Sequence, residues 1–312
     1  MNPNPINEDI RLNEINEANY EDSYVVPPPP MAGPVQKADP DNPPWGLGIG
    51  ILTWFASASL LFLFQALFLV GYIVVNQAKG IAINAEGLAS SPIAVLLLVL
   101  SIIPAHIATI WFVWIVVTGW GHRPFREMLG WAWGKNFRFW ASVGLAIGLL
   151  IIGIVITQFL GGSETDIDRI VKASLPARFT LAFIAAFTAP LTEELVYRGV
   201  LYAGLRRTFS RWGDSFGTIL SVIFVSFLFA VVHFPQYWGN YGVLIVIMYL
   251  SIALTVLRAK TGKILPCVIV HFIFNGIQAV GIVAEPYLQK YISEPKTQQS
   301  FIILKNLIHL FF

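Results

Sequence analysis

Charged residues are scarce in this 312-residue sequence: 12% are Asp, Glu, Lys or Arg, against about 25% in an ordinary soluble domain. With 56% hydrophobic residues gathered in long runs, that scarcity excludes a soluble globular protein and implies a polytopic membrane protein. The net charge of +2 is too small for a nucleic-acid partner. Cysteine is nearly absent as well. Cys267 alone excludes an internal disulfide and any multi-cysteine metal site, and reads as a small residue packed in a helix. There is no Gly-x-Ser-x-Gly nucleophile motif, and Cys267 has no evident base. His-Glu-x-x-His, the helical signature of zinc proteases, is missing too. The N-terminal stretch lacks the basic n-region and short apolar core of a signal peptide.

Residues 1–44 hold eight of the eighteen acidic residues and the run Pro27–Pro30. Such a segment buries too little apolar surface to offset its ordering entropy, so a disordered tail is expected. Seven apolar runs follow: Trp45–Val75, Ile93–Thr118 with Pro104 as a kink, Phe139–Leu160, Phe179–Leu205, Phe216–Phe234, Val243–Leu257 and Ile264–Ala284. Ser300–Phe312 is short for a span, which needs about 20 residues. It is either the end of an eighth helix or an interfacial segment with Lys305 and His309 on one face. The expected fold is all-α, with seven or eight transmembrane helices around a polar cavity. The chain divides into the tail (1–44), N-terminal helices (45–160), a helical core (179–284) and a C-terminal segment (285–312). Lysine and arginine number twelve on the tail's side of the membrane and six on the other, which favours a cytoplasmic N-terminus in a cell-membrane protein. Trp111, Trp114, Trp120, Trp131 and Trp133 cluster as interfacial anchors do.

Polar residues inside apolar runs carry the chemistry. Glu193 and Glu194 sit side by side in the fourth run, where an ionised group costs about 2.5–3.5 kcal/mol on insertion scales. Glu194 lies four residues before Arg198, the favourable helical pairing. Glu193 is rotated by about 100° and has no partner in its own turn. Phe229 and His233 share a face of the fifth run, and His271 and Asn275 share a face of the seventh. His106 stands alone in the second run and is expected to hydrogen-bond a neighbouring helix. Polar groups at membrane depth must satisfy one another, so the others are expected to meet at one site. A carboxylate with a histidine can deprotonate water, and a histidine with an amide can donate to an oxyanion. That combination suits peptide hydrolysis by an activated water. Two glutamates and two histidines can also ligate a metal, and a polar cluster can simply join helices in a scaffold or transporter. No internal repeat of the transporter kind is visible. One difficulty stands out: with these run boundaries, His233 and His271 differ in depth by about 10–15 Å at 1.5 Å per residue.

Glu-Glu-x-x-x-Arg at Glu193, Glu194 and Arg198, Phe-x-x-x-His at Phe229 and His233, and His-x-x-x-Asn at His271 and Asn275 resemble the three motifs of the CAAX protease and bacteriocin-processing (CPBP, or Abi) family. The resemblance covers about residues 179–284. It implies an intramembrane endopeptidase related to the type II CAAX prenyl endopeptidase. The implied roles are water activation by Glu193 with His233, an oxyanion site at His271 and Asn275, and orientation of the cluster by Glu194, held by Arg198. The family carries a metalloprotease label beside a metal-free account. The reading favoured here has no cofactor. Zinc on Glu193, His233 and His271 is the alternative. Partners are membrane lipids and a peptide or protein substrate, lipidated or not; the oligomeric state is left open.

Overall fold

The structure is a computed structural model and describes residues 38–292. The expected segment Ser300–Phe312 and most of the N-terminal tail lie outside the described residues. Within them all regular structure is helical, and seven helices are long and apolar enough to cross a membrane: α1 (Leu47–Ala78), α2 (Pro92–Thr118), α3 (Phe139–Leu160), α4 (Leu175–Trp212), α5 (Asp214–His233), α6 (Tyr241–Thr261) and α7 (Leu265–Ile292). In hydrocarbon only a helix or a closed barrel satisfies its own backbone, so apolar runs of this length become helices. The side chains left outside the bundle are themselves apolar, including Phe55, Phe62, Ile151, Phe159 and Ile223, as contact with lipid requires.

Local chemistry sets the helix ends. Ser91, Ser174 and Asn240 accept from the backbone N–H three residues on. Thr165 and Asp168 form a reciprocal capping box in the loop before α4. Gly119 and Gly262 close α2 and α6 in the left-handed conformation. The α2 helix bends at Ser101 because Pro104 lacks an N–H and its ring crowds the carbonyl of Leu100.

At the centre lies α4, and it is longer than expected. It does not break at Pro190. Instead, i→i−5 turns over Ile184–Thr188 and Leu195–Leu201 flank the short α-helical piece that carries the glutamates. Such wide turns occur mostly as single insertions at functional sites. Leu195, Val200, Leu201 and Leu205 pack with Val113 and Val117 of α2, Val225 and Phe229 of α5 and Val268 of α7. A second apolar cluster joins α3, α6 and α7 through Leu149, Leu254, Val270 and the buried Cys267, whose thiol donates to the Leu254 carbonyl at 3.3 Å.

Residues 38–44, which composition assigns to a disordered tail, are packed as a strap on the Trp212 half of α4 and the end of α6. The strap finds partners that composition does not reveal. Asp41 pairs with Arg258 at 2.7 Å and with Arg206 at 3.8 Å. The carbonyls of Pro40 and Pro43 accept from Arg258 and Arg207.

Candidate active site

The site grows from the α-helical piece Ala189–Glu194. Glu194 is fully buried, and so is Arg198, whose Nη1 donates to Glu194 Oε1 at 2.9 Å. Each guanidinium nitrogen is engaged: Nη2 donates to the hydroxyl and carbonyl of Ser251, and Nε to Thr255 Oγ1. These two hydroxyl residues lie four apart in the otherwise apolar α6, but their spacing alone does not say which helix they face. Arg198 also lies over the Phe229 ring, 4.9 Å from its centroid.

His271 joins the same carboxylate from α7, with Nδ1 donating to Glu194 Oε1 at 2.8 Å. That bond fixes the ring and turns Nε2 toward Glu193 Oε2, 3.7 Å away. Glu193 makes no hydrogen bond among the described residues, and its side chain keeps 22% of its surface open. The two adjacent carboxylates therefore differ: one is locked in a buried network, the other faces open space. Glu194 Oε2 is itself buried with no partner.

Phe229 links the remaining histidine to this group. Its ring lies 4.7 Å from that of His233 and 6.2 Å, edge to face, from that of His271. Its carbonyl accepts from His233 Nδ1 at 2.7 Å. A carbonyl only accepts, so Nδ1 carries the proton and Nε2 of the neutral ring is left as an acceptor. The expected depth mismatch disappears because α4 and α5 form one long hairpin. Glu193 precedes Trp212 by nineteen residues and His233 follows Asp214 by nineteen, which puts them level across Gly213. The hairpin projects roughly 18 Å beyond the start of α7, at 1.5 Å per residue.

Asn275 sits one turn beyond His271 and donates one amide hydrogen to the Ala185 carbonyl at 3.0 Å, in the wide turn of α4. His106 bonds a neighbouring helix, with Nδ1 2.9 Å from the Thr188 hydroxyl of α4. Among the described residues no three His, Cys, Asp or Glu side chains are grouped so as to hold a metal ion. One Glu194 oxygen is taken by Arg198 and His271, and Asn275 is a poor metal ligand.

In comparisons with known proteins, residues 175–277 match the family model described as type II CAAX prenyl endopeptidase Rce1-like. The match contains all three motifs. No curated protein and no solved structure matches the chain.

Proposed function

We propose that this chain, whose residues 175–277 match the Rce1-like family model, is an intramembrane endopeptidase that hydrolyses a peptide bond with an activated water. One observation carries the reading. Glu193 is unbonded and partly open, and it stands 3.7 Å from a histidine nitrogen whose ring is fixed from behind by buried Glu194. Helix joining accounts for the Glu194–Arg198–Ser251 network, where each guanidinium nitrogen is engaged. It gives no reason to hold a second carboxylate free beside it at a cost of several kcal/mol.

In the proposed reaction His233 Nε2 accepts one hydrogen bond from water and Glu193 takes the other proton. The water oxygen attacks the carbonyl carbon, and the carbonyl electron pair moves onto oxygen. With Nδ1 committed to Glu194, His271 donates from Nε2 only as the imidazolium; in that form its Nε2 and the second amide hydrogen of Asn275 donate to that oxyanion. Donors fixed in a water-poor site are worth about 2.7–4 kcal/mol each. The carbon–nitrogen bond then breaks, and Glu193 returns its proton to the leaving amine. Substrates are membrane-associated proteins of the CAAX or a related type, and the membrane is the cell membrane with the N-terminus cytoplasmic. The test is purified protein in detergent with lipidated and unlipidated peptides, scored by mass spectrometry. Cleavage that vanishes in Glu193→Ala supports the reading; equal cleavage by both proteins refutes it.

We further propose that catalysis needs no metal, since among the described residues no three candidate ligands group around an ion. Activity is expected to survive exhaustive chelation, with substoichiometric zinc by elemental analysis. Activity lost with zinc and restored by it would assign Glu193, His233 and His271 as ligands.

A further inference from the structure

Tyr237 lies one turn beyond His233, and its backbone N–H donates to the His233 carbonyl at 3.2 Å. It forms part of the wall of a cavity of about 380 Å³ between α3, α6 and α7. Interiors rarely keep voids much larger than one water, and pockets for small guests begin at about 300 Å³. Ile154, Val246 and Phe274 give the cavity apolar walls; Asn240 and Gln278 add polar groups. The cavity backs onto the proposed site: Phe274 is the neighbour of Asn275, and Tyr237 follows His233 by one turn.

The polar groups at the wall have capacity to spare. Asn240 commits its carbonyl to the Val243 N–H, which leaves its amide hydrogens for a guest. The Tyr237 hydroxyl makes no hydrogen bond among the described residues. Burial, with the charges of Asp168 and Glu193, pushes its phenol up to about 12, so it remains an O–H donor near neutral pH.

We propose that this cavity receives an apolar side chain of the peptide next to the scissile bond, and that Tyr237 donates to the peptide backbone at its mouth. The proposal rests on the endopeptidase reading, and its test is separable from it. Fluorescent, otherwise serine-rich octapeptides carrying a single Ala, Leu or Phe are titrated against Glu193→Gln protein, which should bind without turnover. Phe peptides are expected to bind about tenfold or more tighter than Ala peptides, the scale for added methylenes in an apolar pocket. Adding Val246→Phe or Ile154→Phe fills the cavity and should remove that preference while the Ala peptide still binds. Two independent fillings, each checked by thermal melting, guard against one that fails to fold. Adding Tyr237→Phe should weaken all three peptides about fivefold, as loss of one hydrogen bond does, without changing their order. In protein with Glu193 intact, Tyr237→Phe should raise KM and leave kcat nearly unchanged. No binding of any peptide, or a size preference unchanged in both filled proteins, overturns the proposal. Size-dependent binding without cleavage by protein with Glu193 intact would sink the endopeptidase reading and leave the cavity's role standing. Cleavage indifferent to side-chain size would do the reverse.

Discussion

Glu193 and Glu194 show how two identical side chains acquire different chemistry from position alone. The buried one is held by Arg198 and His271. The other is left partly open. Removing one partner of a buried ion pair leaves an uncompensated charge and costs about 3–5 kcal/mol. Glu194→Gln and Arg198→Ala are therefore each expected to lower the melting temperature markedly in detergent, and the double change less than their sum because the residues are coupled. Glu193→Gln is expected to abolish peptide cleavage with little change in melting. Equal destabilisation by the two glutamine changes would refute this division. The i,i+4 pairing was readable because a helix fixes that spacing. Ser251 and Thr255 as the other Arg198 partners were not, since nothing in one helix says which neighbour it will face.

Among elements, α4 decides the geometry. Its two wide turns change the rotation of the helix on either side of the glutamates, and no periodic reading of sequence anticipates an inserted residue. Its close approaches also depend on missing side chains. A Cβ on Gly204 would stand 2.7 Å from the Gly46 carbonyl oxygen, and one on Gly199 would stand 2.8 Å from Leu129 Cδ2. Leu129 is a side chain with some freedom, whereas Gly46 offers backbone. Gly204→Ala is therefore expected to destabilise the protein by about 1–3 kcal/mol, the usual range for overpacking. Gly199→Ala should cost less. Thermal melting of the two variants side by side checks the order, and the reverse order would mean that the backbone at Gly46 yields more easily than Leu129.

For the whole molecule, the strap couples the start of the described chain to the helices that carry the site. Asp41 joins Arg206 of α4 to Arg258 of α6, and Arg258 is fully buried. The Trp45 indole N–H reaches the Val200 carbonyl at 3.1 Å, one residue past Gly199. Asp41→Ala strands the Arg258 charge. We expect a loss of about 3–5 kcal/mol, the range for a broken buried pair. Protease cleavage near residue 45 should accelerate in the same variant. Unchanged melting and unchanged cleavage would show that the Pro40 carbonyl alone suffices for Arg258.

The sequence by itself determined that the chain is helical and membrane-embedded, because apolar runs of this length admit one local solution in hydrocarbon. It also determined which polar residues are costly enough to need one another, and the matched segment contains every one of the motif residues. Helix ends were less legible. The charged stretch Arg206–Arg211 looks like loop, yet α4 continues through it to Trp212 because Arg206 and Arg207 find strap partners. Only the tertiary structure put His233 level with Glu193, gave Arg198 its α6 partners and opened the cavity beside Tyr237. Spacing along a helix is a local property that residue identity can report. The level at which two helices meet depends on the length of the hairpin that joins them and on every side chain between them.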